Sequence, residues 1–272
     1  MEKVAQEQQE NSLKSMFAVI AIPVIITISV LLFIFVLGDG SNFEGGSSEN
    51  HPLKGNYLGM VYKGGVIVPI LMSFLLMVFV FSIERFITIT AANGSGSIDK
   101  FVRTIKAHLA TNNIAAAKAE CDRQKGSVGN VIKAVLIKYE ALAIDTHLDK
   151  DQKIAALQKE LEEATALELP MLEKNLTIIS TLASVATLVA LLGTVLGMIK
   201  SFASMSGGGG GEDAAALANG ISEALINTAI GIGTSAISII AYNFFTSKID
   251  TLTYSIDEAG VCITQTFSAN HH

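Results

Sequence analysis

Residues 219–240 read Asn219-Gly220-Ile221-Ser222-Glu223-Ala224-Leu225-Ile226-Asn227-Thr228-Ala229-Ile230-Gly231-Ile232-Gly233-Thr234-Ser235-Ala236-Ile237-Ser238-Ile239-Ile240. They lie within a run from Ala214 to Ser247 in which Glu223 is the one charged side chain. A hydrocarbon core of about 30 Å takes roughly 20 helical residues to cross, so this run can span a bilayer. Three further runs carry no charge at all: Ser15 to Gly38, Gly64 to Ile83 and Asn175 to Ile199. The fold class is therefore an all-α polytopic membrane protein with four transmembrane helices. Composition agrees, since half of the 272 residues are hydrophobic, only 16% are charged and the mean hydropathy is +0.48. Those values exclude an all-soluble enzyme.

Charge placement sets the orientation. Of the 19 Lys and Arg residues, 12 lie in residues 92–174 beside 12 acids, whereas the segments assigned to the other side hold only Lys54 and Lys63, with Lys200 near the outer end of the third span. The positive-inside rule then puts 92–174 in the cytoplasm, with both termini. The first span is read as a true span and not as a cleaved signal, because Met16–Leu37 is longer than a signal core, its flank is not basic and no Ala-x-Ala site follows. Balanced charge in 92–174 gives no reason to expect nucleic acid. Cys121 and Cys262 fit no disulfide or zinc spacing and are read as buried thiols on the reducing side.

The organisation expected is as follows. Residues 1–64 hold a cytoplasmic N-terminus, a first span over about 16–37 and a Gly/Ser/Asn-rich outer loop without a core of its own. The second span covers 65–91, with Glu84-Arg85 at the inner headgroup level. Residues 92–174 form a cytoplasmic helical domain, in which Gly126 and Gly129 separate two helices and apolar residues recur at helical spacing: Ile98, Phe101, Val102, Ile105 and Leu109, then Val131, Ile132, Val135, Tyr139 and Leu142, and from Asp151 onward Ile154, Leu157, Leu161, Ala164 and Leu167. The last stripe predicts one long helix, bent at Pro170, that runs on into the third span at 175–203. A Gly-rich outer turn over 204–213, the fourth span over 214–247 and a cytoplasmic tail over 248–272 complete the chain.

The polar residues inside the spans carry the functional reading. A charged carboxylate near the bilayer centre costs about 2.5–3.5 kcal/mol on insertion scales, so Glu223 should face protein or water and is a proton-site candidate. At about 100° per residue, Gly220, Glu223, Asn227, Gly231, Thr234 and Ser238 share one narrow face of the fourth span. Thr177, Ser180, Ser184, Thr187, Thr194 and Ser201 line one side of the third. These hydroxyls either bond back to carbonyls one turn earlier and glue helices together, or line a pore. Chemistry of other kinds is not expected. Gly207–Gly211 lacks the Lys-Ser/Thr of a phosphate loop and Gly231-Ile232-Gly233 lacks the third glycine of a dinucleotide fingerprint. His108 and His147 have no metal-ligand spacing, and no metal, cofactor or catalytic residue is expected.

Leu191-Leu192-Gly193-Thr194-Val195-Leu196-Gly197-Met198-Ile199 and Asn219 to Gly231, with Glu84-Arg85-Phe86 and Ala241-Tyr242-Asn243-Phe244-Phe245, resemble the ExbB/TolQ branch of the MotA/TolQ/ExbB proton-channel family, most closely ExbB. The resemblance implies a homopentamer in the bacterial inner membrane, with the last two spans lining a central pore that holds the transmembrane segment of an ExbD-like or TolR-like subunit. The proton-motive force would drive motion in that complex, and a TonB-like protein would pass the work to outer-membrane receptors. By motif, Glu223 matches the family's intramembrane glutamate, and Thr194 and Thr228 its pore-side threonines. Asn227, Thr234, Ser238, Thr187 and Ser184 are the further pore-lining candidates. This chain departs in having Thr187 and Ala190 where many members have Pro and Gly, and in its additional first span. Rival readings are a TolQ-like subunit of a Tol-Pal system, a MotA-like rotary stator and a non-conducting membrane scaffold.

Overall fold

The computed structural model describes residues 2–205 and 212–270. Among them no β-strand occurs, and the α-helices are α1 (Glu2–Leu32), α2 (Tyr57–Tyr62), α3 (Ile67–Asn93), α4 (Ile98–Ala110), α5 (Ile114–Gln124), α6 (Gly126–Ile144), α7 (Lys150–Glu173), α8 (Leu176–Met205) and α9 (Glu212–Asn270). Four helical stretches are long and apolar enough to cross a membrane, starting at Phe17, Ile67, Leu176 and Gly220. The protein is a multi-pass membrane protein. Of the Gly-rich turn expected over 204–213, residues 206–211 with all five glycines lie outside the described residues. The helix of the fourth span does not stop near 247: the expected tail is helical to Asn270.

The chain divides into two compact units. The first takes the residues up to Ser82 and Thr177–Tyr242. Its outer loop differs from expectation, because Gly38–Gly64 does build a small core. Asn42, 6% exposed, donates through Nδ2 to the carbonyls of Val36 (2.8 Å) and Leu37 (3.1 Å), which end the first span. Its Oδ1 accepts from Asn56 Nδ2 at 2.9 Å, and Asn56 Oδ1 in turn caps α2 at Leu58 N and Gly59 N. Phe43 is 2% exposed and meets Tyr62 edge-on, and Tyr62 stacks on Phe33 at 4.7 Å. Burying one such phenylalanine contributes about 2–3 kcal/mol. Polar side chains replace the hydrophobic run that would have announced this core in the sequence.

The second unit, Ile83–Leu176 with Asn243–His272, holds α4 to α7. Of the expected α4 stripe, Phe101, Val102, Ile105 and Leu109 are buried and Ile98 is half-buried. Tyr139 of α6 meets Phe267 of α9 edge-on at 4.9 Å. The stripe of α7 is corrected: Leu157, Thr165 and Leu172 are the buried positions and Leu167 is 82% exposed. Gly126 opens α6 with φ +68, where a Cβ would lie 2.4 Å from the carbonyl oxygen of Ala92. Gly129 lies inside α6 and does not separate helices.

The single helix bent at Pro170 is also corrected. Pro170 sits within α7, and the chain breaks at Lys174 and Asn175, the latter at φ +65. Arg85, 2% exposed, organises the break: its Nη1 donates to the carbonyls of Met171 (3.1 Å) and Leu172 (3.0 Å), freed where α7 ends. Glu84 pairs with Arg85 and accepts from Asn175 Nδ2 at 3.2 Å and Thr88 Oγ1 at 3.1 Å. Expected among lipid headgroups, the Arg85 side chain is enclosed by protein.

Candidate functional site

α8 and α9 pack closely because small residues meet small residues. A Cβ at Gly231 would lie 2.2 Å from Ala190 Cβ, one at Gly197 would lie 3.4 Å from Ala224 Cβ, and Gly193 faces Asn227. Such contacts let two backbones approach, which in a membrane takes the place of a hydrophobic driving force. They also fix a register in which the hydroxyls meet. Thr194 Oγ1 and Thr228 Oγ1 are 2.6 Å apart. Two turns away, seven residues back on α8 and seven forward on α9, Thr187 Oγ1 and Ser235 Oγ are also 2.6 Å apart.

The Thr194–Thr228 pair has more acceptors than protons. Thr194 Oγ1 is 3.1 Å from the Ala190 carbonyl and Thr228 Oγ1 is 3.0 Å from the Ala224 carbonyl, each a donor bond one turn back. With one proton on each hydroxyl, both carbonyl bonds and the bond between the hydroxyls cannot form together. One threonine therefore donates to the other, and rotation of the hydroxyls exchanges the two arrangements. The direction of the hydrogen bond between them can thus be reversed without moving a heavy atom.

Glu223 lies on α9 one turn before Asn227, with its side chain 18% exposed. On one side its carboxylate rests on Gly65, where a Cβ would come within 2.3 Å of Oε1; Gly65 has φ +77, so both space and backbone require glycine. On the other side Lys200 Nζ stands 3.5 Å from Oε2, with its own side chain 77% exposed. A pair that open is worth little in stability. Both side chains border a cavity of about 670 Å³, shared with Ser222, Lys63 and the segment from Glu49 to Gly55. A carboxylate, a cation and room for water are thus in one place.

The remaining expected residues divide. Asn227, Thr234 and Ser238 are at most 1% exposed, enclosed within a single chain. Asn227 Nδ2 donates to the Gly64 carbonyl at 3.0 Å, Thr234 to the Ile230 carbonyl and Ser238 to the Ile179 carbonyl on α8. Of these bonds only that of Ser238 joins α9 to α8, while Thr234 bonds within α9 and Asn227 to the turn before α3. Ser184 is exposed and bonds to the Thr181 carbonyl. Lys200 and Ser235 are the partners that the sequence reading missed. Their signal was the antiparallel register itself, since once Thr194 faces Thr228, Ser235 falls opposite Thr187 and Glu223 near Lys200.

Comparison with known proteins places this hairpin in context. Residues 129–258 match the MotA/TolQ/ExbB proton channel family. An ExbB-like protein of Synechocystis sp. is 37% identical over 112 residues, covering 41% of this chain and 51% of its own length. The biopolymer transport protein ExbB of Helicobacter pylori is 44% identical over 94 residues, covering 35% of this chain and 63% of its own. The Tol-Pal system protein TolQ of Pseudomonas aeruginosa is 31% identical over 139 residues, covering 48% and 59%. The chain thus spans between half and two thirds of the length of these relatives.

Proposed function

We propose that the chain is the stator subunit of a proton-driven complex in the bacterial inner membrane, a reading supported by the match of residues 129–258 to the MotA/TolQ/ExbB proton channel family and by stretches 31–44% identical to ExbB and TolQ proteins. In this reading several copies, as in a homopentamer, surround the single span of an ExbD-like or TolR-like subunit. The domain formed by 92–174 faces the cytoplasm. A TonB-like protein carries the work to outer-membrane transport.

The observation that carries the reading is Glu223, the one charged side chain of its span, seated between Gly65 and a cavity of about 670 Å³ shared with Lys200. An intramembrane acid in such a place is a functional group by default. Protons would enter from the cavity, load Glu223 and pass on with the Thr194–Thr228 pair ordering the path. The ExbB of Helicobacter pylori, 44% identical over 94 residues, supports the TonB-linked role, and the TolQ of Pseudomonas aeruginosa, 31% identical over 139, keeps a Tol-Pal role as its rival.

Uptake driven by the proton-motive force, measured in cells that carry Glu223→Gln, tests the proposal, with the assembled complex checked on a native gel. Loss of uptake with an intact complex supports it. Normal uptake would make the carboxylate an anchor and the protein a scaffold. Identification of the single-span subunit that co-purifies separates the TonB-linked, Tol-Pal and rotary-stator roles.

A further inference from the structure

We propose that Asn227 is a positioning residue for Glu223 and acts through the peptide Gly64–Gly65. The inference rests on Glu223 being the proton site and adds what holds it in place. Asn227 was expected to face a pore, but it is 1% exposed and its amide points to the start of the second span. Nδ2 donates to the Gly64 carbonyl at 3.0 Å. Oδ1 is enclosed and has no hydrogen-bond partner. An unpartnered buried carbonyl is costly, and an apolar side chain of similar size would avoid that cost. The value of the amide therefore lies in the bond it makes.

That bond ends one residue short of Gly65, whose Cα is the surface on which the Glu223 carboxylate rests. The amide is itself held from both sides by glycines: a Cβ at Gly193 would lie 3.0 Å from Nδ2 and one at Gly64 3.3 Å from Oδ1. Side chain, peptide and carboxylate thus form one chain of contacts. Glu223 has two surroundings, the backbone of Gly65 and the cavity with Lys200, and Asn227 holds the first against it. Without that bond the Gly64 carbonyl loses its side-chain partner and the peptide keeps only its turn bonds, Gly65 N to Tyr62 O and Val68 N to Gly65 O at 3.1 Å each, so that the surface under the carboxylate is held less firmly against the cavity.

The test is labelling of Glu223 by dicyclohexylcarbodiimide, which adds to protonated carboxyl groups, in membranes containing the full-length protein, followed by mass spectrometry over a pH series. Asn227→Ala removes the bond, and Gly65→Ala places a methyl group where the carboxylate rests. Ser73→Ala is the control, since Ser73 is a buried hydroxyl bonded to the Ile70 carbonyl within α3. In both site variants the pH of half-maximal labelling should move, with a rate change at fixed pH of about tenfold for a one-unit move, while the control keeps the wild-type profile. If Asn227→Ala does not accumulate in the membrane, Asn227→Leu, which keeps the volume and removes the bond, decides. A wild-type profile in the variants, or an equal move in the control, would overturn the proposal. The labelling reads the surroundings of the carboxyl whether or not it carries protons, so normal uptake with Glu223→Gln would remove the proposed function and leave this comparison to be decided separately.

Discussion

Polar side chains in a membrane must find partners within the protein, and here they find each other. The spacing of Thr187, Thr194 and Thr228 was legible from the sequence, but their pairing was not, because it depends on a register set by Gly193, Gly197 and Gly231 on facing helices. Thr194→Val keeps shape and removes one hydroxyl. Energised uptake should fall about tenfold, the equivalent of one lost hydrogen bond, while the complex still assembles; unchanged uptake would take the pair out of the mechanism. Cys121 shows what burial does outside the membrane. Desolvation first, then the charges of Asp122 and Glu120, pushes its thiol up to about 12. It should resist iodoacetamide in the folded protein and react only on unfolding. Because the folded pKa lies above the ordinary value of 9.0, its contribution to stability is complete below about pH 9 and is lost as pH rises toward 12. Thiol labelling at neutral pH checks the first point, and rapid labelling of the native protein would contradict it.

Among the elements, the stripe of α4 was legible in the sequence, that of α7 only in part, and the helix ends set by capping were not. α4 follows its stripe. α7 follows its first turns and then departs at Leu167, since an exact 3.6-residue repeat carries the buried face to Thr165 and Leu172. The sequence reading put a bend and no break at Pro170, where proline removes a donor, and one missing bond does not end a helix that keeps its others. Asn175 ends it by adopting φ +65, and Arg85 takes the carbonyls left over. Arg85→Met should therefore destabilise the protein by about 2–4 kcal/mol, because the Glu84 carboxylate and two carbonyls lose their partner. Thermal unfolding in detergent measures it, and an unchanged midpoint would mean that Arg85 does not hold the break.

At the scale of the whole molecule, the four spans were legible because crossing a bilayer is a demand on local composition, which a single sequence displays. The core within Gly38–Gly64 was hidden because it is built by Asn42 and Asn56 bonding over 5 to 14 residues, a pattern with no period. The candidate site lay between these cases. Glu223 stood out as a charge without company, whereas Gly65, Lys200 and the Asn227 amide are neighbours that only the fold brings to it. The central claim is that a proton passes through this carboxyl group. It is tested most directly by the rate at which an imposed proton gradient collapses in vesicles that hold the purified complex with the single-span subunit proposed for it, comparing the wild type with Glu223→Gln at equal protein content. A rate that falls to that of empty vesicles is the result expected; a rate equal to that of the wild type would contradict the claim.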